Sequence, residues 1–148
     1  MYKKIKQGDF TSLAKSYIHR VGYSKLVLDA LAAYTKIGNS SVVADVAAGT
    51  GKLTENLLAY PFKKIICVEP NTAMMAEGKR YISDPRVAWL QGTGEKTKLA
   101  AKSIDWIFVG SAFHWMDLET TLNEFHRVLK PDGFFTAIWN PRDIIGNK

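Results

Sequence analysis

The sequence predicts an α/β domain, doubly wound on a mainly parallel sheet, and three observations predict it. Ser41–Val46 is short, β-branched and apolar, the pattern of a buried strand, and it runs directly into Ala47-Ala48-Gly49-Thr50-Gly51. Lys52–Leu58 then places apolar residues at helical spacing. Ile65–Pro70 is a second buried-type strand, and it ends in an acid, Glu69. Strand, glycine loop, helix and strand in that succession make a βαβ unit.

The elements follow in order. Phe10, Leu13, Ala14, Tyr17 and Ile18 recur at helical spacing until Gly22 interrupts. Ser24 reads as the N-cap of a second helix carrying Leu26, Val27, Ala30, Leu31 and Tyr34 and ending near Gly38. The core unit is strand 41–46, helix 51–59, strand 64–69, helix 72–80 capped by Asn71, and strand 86–91. Ser103–Gly110 is a fourth strand, rich in Ile104, Trp106, Ile107, Phe108 and Val109. Asp117 caps an amphipathic helix with Leu118, Thr121, Leu122, Phe125, Val128 and Leu129, which Lys130-Pro131-Asp132-Gly133 ends in a turn. Phe134–Trp139 is the fifth strand, apolar on both faces.

Composition sets the class. A chain of 148 residues with 47% hydrophobic content suits a single domain with a real core. No apolar run approaches the roughly 18 residues of a membrane span. Tyr2–Lys6 is basic, yet no apolar stretch follows it, so no secretory signal is read. The one cysteine, Cys67, sits mid-strand as a buried small residue. These features point to the cytoplasm and away from membranes. The net charge of +6 draws on Lys3, Lys4, Lys6, Lys15, Arg20 and Lys25. Those residues are not interleaved regularly with aromatics, so they read as a solvated face rather than a nucleic-acid surface.

The loop narrows the ligand. Gly49 and Gly51 can adopt positive φ and let a ligand approach the backbone, and the helix N-terminus behind them offers N–H groups. The loop lacks the Gly-Lys-Ser/Thr ending of a phosphate-binding loop, and Thr54 stands where a dinucleotide motif carries its third glycine. Asp45 lies inside the strand, where an acid is costly without a partner, and an amino-bearing ligand suits it better than a pyrophosphate. Glu69 follows the loop at about 20 residues, the spacing at which an acid takes a ribose diol. His114 and Trp115 leave the carboxyl end of the fourth strand, where open α/β sheets bind ligands. His114 is a candidate to orient or deprotonate a substrate hydroxyl or carboxyl, or to hydrogen-bond a loop, and Trp115 shapes the pocket.

Asp45-Val-Ala-Ala-Gly-Thr-Gly-Lys-Leu-Thr, Val68-Glu-Pro-Asn, Gly92-Thr93-Gly94-Glu95 and Ala112-Phe113-His114-Trp115 together resemble the class I S-adenosylmethionine-dependent methyltransferases. Among these the chain is most similar to the type-11-like, small-molecule enzymes related to trans-aconitate methyltransferase. The resemblance runs from about Phe10 to Asp143. It implies strand order 3-2-1-4-5, with two last strands of full members lacking. Residues 1–40 would be helices covering the cofactor site, and 41–148 the binding core. The cofactor implied is S-adenosylmethionine, with S-adenosylhomocysteine as product, and the acceptor a small molecule methylated on a carboxylate or hydroxyl oxygen.

The resemblance also implies site residues. Gly49 and Gly51 would admit the methionine part, with Asp45 acting near its amino group through the loop. Glu69 would take the ribose. Met74 would lie on the adenine, with ordinary helix–sheet packing as its alternative. Thr93 and Gly94 would read the adenine edge, or form a plain turn. Ala47, Pro70, Ser111 and Ala112 complete the cofactor contacts, and Tyr17 and Arg20 would line the site from above. The fifth strand would be an open edge, able to pair with a second copy. Two rivals stand: a nucleotide-binding dehydrogenase, which Thr54 and His114-Trp115 argue against, and a truncated cofactor-binding remnant without turnover.

Overall fold

The computed structural model describes residues 11, 14–17 and 22–140. The order is α1 (Ala14–Tyr17), α2 (Lys25–Thr35), β1 (Val42–Val46), α3 (Lys52–Leu57), β2 (Lys64–Val68), α4 (Thr72–Tyr81), β3 (Val87–Leu90), β4 (Ile104–Gly110), α5 (Leu118–Val128) and β5 (Leu129–Ile138). A 3-10 turn, Phe113–Trp115, links β4 to α5. The strands form one sheet in the order β3-β2-β1-β4-β5, and every neighbouring pair is parallel. The chain winds outward from β1 to β3, then returns to β4 on the other side of β1. Strand order therefore reverses between β1 and β4.

The strand sequences explain the layering. Side chains alternate faces along a strand, so Val43 joins Leu28, Leu53, Leu57, Trp106 and Phe108 on one side. Ala44 and Val46 join Val68, Ile107, Val109, Phe125 and Val128 on the other. Trp106 and Phe108 stack with ring centroids 4.2 Å apart, and the Trp106 indole N–H donates to Thr136 Oγ1 at 2.9 Å. With both faces covered, β1 and β4 carry apolar residues continuously, as parallel strands do.

The helix starts agree with the sequence reading. Ser24 Oγ accepts from Val27 N–H (3.4 Å), Asn71 Oδ1 from Ala73 and Met74 N–H (3.0 and 3.1 Å), and Asp117 Oδ1 from Thr120 N–H (2.9 Å). α2 stops at Thr35 because Lys36 turns left-handed (φ 55°), two residues short of Gly38. α1 packs on α4, and Ala14 is buried. The remainder of the expected first helix, including Phe10, Leu13 and Ile18, lies outside the described residues.

The last strand departs from expectation. Sequence placed a turn at Lys130–Gly133 and the strand at Phe134–Trp139. Instead pairing begins at Leu129 opposite Ile104 and resumes at Phe134 opposite Trp106. Between these pairs one residue of β4, Asp105, stands against four of β5, and Lys130–Gly133 bulge outward, with Asp132 at φ 66°. Lys130 Nζ reaches back to Asp105 Oδ2 (3.1 Å), the oxygen that also accepts from Val42 N–H (2.9 Å). Trp139 lies beyond the strand's end. β5 is an edge of the sheet with helices over both faces: Phe134 meets Tyr34 edge-on at 6.1 Å, and Phe135 contacts Phe125 at 5.0 Å. Among the described residues no helix is long and apolar enough to cross a membrane.

One side chain secures the α3–β2 connection. The Arg86 guanidinium donates to the carbonyls of Leu58 (2.9 Å), Tyr60 (2.8 Å) and Phe62 (3.4 Å), and it is held there by Asp84 (3.0 Å). A planar fork serves three carbonyls, and an ammonium cannot match that geometry. Arg86→Ala is expected to cost about 2 kcal/mol by urea denaturation with an unchanged slope, and Arg86→Lys to recover less than half of it.

Candidate functional site

The site is assembled where β1, β2 and β4 end. Beyond Val46 the backbone turns left-handed three times, at Ala47 (φ 59°), Gly49 (φ 60°) and Gly51 (φ 87°). Ala47 pays for that conformation with strain of order 1 kcal/mol, which the surrounding bonds must hold. Ala48 N–H donates to Val68 O (3.1 Å), Gly49 N–H to Glu69 Oε1 (2.9 Å), and Gly51 N–H to Ala48 O (2.8 Å). The Gly49 and Gly51 N–H groups are thus both engaged within the protein. A Cβ on Gly51 would lie 2.4 Å from Ile82 Cδ1, so this glycine lets the loop press onto its own neighbours.

Glu69 joins the loops. Its Oε1 accepts from Gly49 N–H and its Oε2 from Asn71 N–H (2.8 Å), while its carbonyl accepts from Gly92 N–H (3.4 Å). The residue is 6% exposed. Burial pushes its carboxyl above the usual range, and the two backbone bonds oppose that rise. Each carboxylate oxygen keeps accepting capacity beyond the one bond it makes, which fits a vicinal diol.

Asp45 has its partner inside the fold. Thr54 Oγ1 donates to Asp45 Oδ2 at 2.6 Å and lies 3.1 Å from Cys67 Sγ, and all three residues are buried. Asp45 Oδ1 and Thr50 Oγ1 are buried with no hydrogen-bond partner among the described residues. Burial raises the Asp45 carboxyl to about 7, against the pull of the Thr54 bond and with a further push from the Glu69 charge. Asp45 is 1% exposed and lies beneath the loop, with no face open to solvent. Thr54, noticed in the sequence only as a missing glycine, is the residue that makes a strand acid tolerable.

The remaining candidates fall as follows. Pro70 is exposed, and its carbonyl accepts from Gln91 Nε2 (3.3 Å). Met74 is 2% exposed in the first turn of α4. Thr93 is exposed in a turn, its N–H donating to Lys96 O and its Oγ1 accepting from Lys96 N–H, both at 3.0 Å. Gly94 is buried against Met116. Ser111 is left-handed (φ 55°), its N–H bonded to Ile138 O (2.8 Å) and its Oγ to the Tyr23 hydroxyl (2.9 Å). Ala112 packs at the edge of the second core cluster. His114 and Trp115 are exposed with ring centroids 4.7 Å apart, and His114 Nδ1 accepts from Trp139 Nε1 (3.1 Å). The Tyr17 side chain and Arg20 lie outside the described residues.

Sequence reasoning missed Tyr23, whose hydroxyl meets the strained Ser111 and whose N–H bonds to Asn56 Oδ1 (2.9 Å). It also missed Met116 and Trp139. Long-range pairs such as these leave no periodic trace. For Tyr23 the only signal was its place beside an N-cap.

Known proteins resemble this chain in sequence and in fold. A family model described as methyltransferase domain matches residues 44–137. An uncharacterized methyltransferase of Schizosaccharomyces pombe is 32% identical over 133 residues, covering 90% of this chain and 52% of the relative. One from Mycobacterium tuberculosis is 36% identical over 101 residues, covering 68% and 40%. The chain thus spans about half or less of these relatives' length. The structure of a SAM-dependent methyltransferase from Aquifex aeolicus superposes with a TM-score of 0.72 at 21% identity, covering 90% of this chain and 76% of that one, a likeness of fold.

Asp45 gives a pH test. Its folded pKa lies above its ordinary 3.8, so the stability it contributes is fully present below about pH 4 and is lost as pH rises through about 7. The difference corresponds to on the order of 4 kcal/mol. Asp45→Asn mimics the neutral acid and still accepts from Thr54. Its unfolding free energy, by urea denaturation, is expected to gain on the wild type between pH 5 and 8. Parallel pH profiles over that range refute the assignment.

Proposed function

We propose, from the premise that this chain belongs to the methyltransferase domain family, that it binds S-adenosylmethionine across the ends of β1, β2 and β4 and transfers the methyl group to a small-molecule acceptor in the cytoplasm. The observation that carries the reading is the Glu69 carboxylate, fixed by Gly49 and Asn71 N–H groups at the ribose-binding spacing. The loop from Ala47 to Gly51 would hold the amino-acid end, with Asp45 beneath it, and Ser111 and Ala112 would flank it at the end of β4. Met74, Pro70, Thr93 and Gly94 would surround the base, and Tyr17 and Arg20 would close the site from the N-terminal segment.

The bound cofactor would supply an electrophilic methyl on sulfur. Alignment is the protein's share, and positioning can remove roughly 7–11 kcal/mol of a barrier. His114 accepts at Nδ1 from Trp139, so the neutral imidazole carries its proton on Nε2 and is set to donate. A donor orients a carboxylate and cannot deprotonate a hydroxyl. That favours an already ionised oxygen acceptor, in keeping with the trans-aconitate-like group, beside Trp115 as a pocket wall. The open edge of β5 is our candidate for pairing with a second copy. Sedimentation at high concentration is expected to show a dimer, and a strict monomer overturns that assignment.

Calorimetry with S-adenosylhomocysteine tests the central reading. Glu69→Ala is expected to weaken binding at least about tenfold, from loss of hydrogen bonds to a charged acceptor. Unchanged affinity, or a thermal shift with NAD in place of S-adenosylhomocysteine, overturns it. A cofactor-binding unit without turnover is the second reading. Binding without transfer of a radiolabelled methyl group to any acceptor screened supports that reading.

A further inference from the structure

Residues 91–103, between β3 and β4, contain no helix or strand. A connection of more than about 12 such residues is uncommon and is usually functional or disordered. This one is neither loose nor relaxed. Lys98 (φ 63°) and Lys102 (φ 49°) are held left-handed, a conformation that persists in bulky residues only when neighbours enforce it. Thr97 and Leu99 are buried, at 0% and 7% exposure.

The enforcing groups stand on α5. Glu124 Oε1 accepts from Thr97 N–H (3.0 Å) and Thr97 Oγ1 (2.7 Å). Arg127 donates to both Glu124 oxygens (2.7 and 2.9 Å) and to Leu99 O (2.7 Å). These bonds, that to Arg127 foremost, draw the Glu124 carboxyl down to about 2. From Thr97 the constraint passes to the turn at Thr93–Gly94: a Cβ on Gly92 would lie 2.7 Å from Thr97 O. A second clamp holds the far side, where Glu95 Oε1 accepts from Asp117 N–H (2.8 Å) and Gly94 sits against Met116. Every anchor lies on α5 or just before it, and α5 is fixed to the core through Phe125 and Val128.

We infer that Glu124 and Arg127 are positioning residues for purine recognition: by clamping Thr97 and Leu99 to α5 they fix the Thr93–Gly94 turn at the geometry that distinguishes adenine from other bases. The inference rests on the reading of that turn as the base-binding edge. Both residues act through Thr97 and Leu99, so loss of the clamp blurs base selectivity in addition to weakening affinity.

The test compares, by calorimetry, S-adenosylhomocysteine with its inosine counterpart, in which the exocyclic amine is an oxygen. The wild type is expected to prefer adenine at least about tenfold, because a site built for an amine leaves unpaired groups against an oxygen. Glu124→Ala is expected to reduce that preference at least about threefold. Glu124→Gln, which keeps an acceptor for Thr97, restores most of it. Faster amide exchange at residues 92–97 in the ligand-free variant would show the clamp released. Thr97→Val, which removes the hydroxyl that donates to Glu124 and accepts from Leu99 N–H (3.2 Å), gives the same readout if Glu124→Ala does not fold. Wild-type selectivity retained in both variants overturns the inference, as does a wild type that binds both ligands equally. A wild type that binds neither overturns the cofactor reading beneath it.

Discussion

The Glu69 carboxylate is the constraint on which the rest of the site depends. A parallel sheet delivers its loops to one edge but does nothing to hold them together. Here one acid, at the end of β2, accepts from the loop after β1 and from the start of α4, while its own carbonyl accepts from the loop after β3. Taking a carboxylate out of water is costly unless its lone pairs are satisfied, and backbone N–H groups satisfy these. The same bonds that make the burial tolerable also set the spacing between three loops. A ligand then meets a preformed edge, with less ordering cost to overcome on binding.

Beneath that edge lies a second buried acid with a different solution. Asp45 sits on β1 facing α3, where Thr54 supplies one hydrogen bond and Cys67 completes a small polar cluster in an apolar surround. One bond does not offset full burial, so the acid titrates high and one oxygen goes unpaired. The contrast with Glu69 is instructive. Asp45 lies one residue before the end of β1 and Glu69 one residue past the end of β2, yet two backbone donors hold Glu69, and a single hydroxyl holds Asp45. Asp45 therefore stiffens the base of the glycine loop at a cost in stability.

Much of this was legible in the sequence. The strands and three helix caps rest on local signals: β-branched runs, helical spacing, and Ser24, Asn71 and Asp117 at fixed offsets; strand order followed from the family resemblance. The glycine loop and Glu69 could be placed because their spacing is set by the βαβ unit itself. What could not be read depends on partners distant in sequence. The bond from Gly49 N–H to the Glu69 carboxyl spans 20 residues. Lys130–Gly133 looked like a simple turn, because only the register against Ile104 and Trp106 reveals the bulge. The bond from Tyr23 to Ser111 spans 88 residues, and that from Glu124 to Thr97 spans 27. Neither carries any periodicity.

The two ends of the site are built unlike each other, and the difference follows from what each must do. On the side of β2 and β3 the loops are fastened by carboxyl side chains: Glu69, Glu95 and Glu124 each accept from backbone N–H groups. Such directional bonds fix loop geometry. On the side of β4 and β5 the surface is aromatic and open, with Trp115 40% and Trp139 47% exposed around His114. Apolar contact there is non-directional, so it constrains shape more than orientation. A rigid edge suits a ligand that never changes, whereas an adaptable rim suits one that can differ between relatives. The same sheet can thereby keep one grip constant while the opposite rim is free to vary in what it admits.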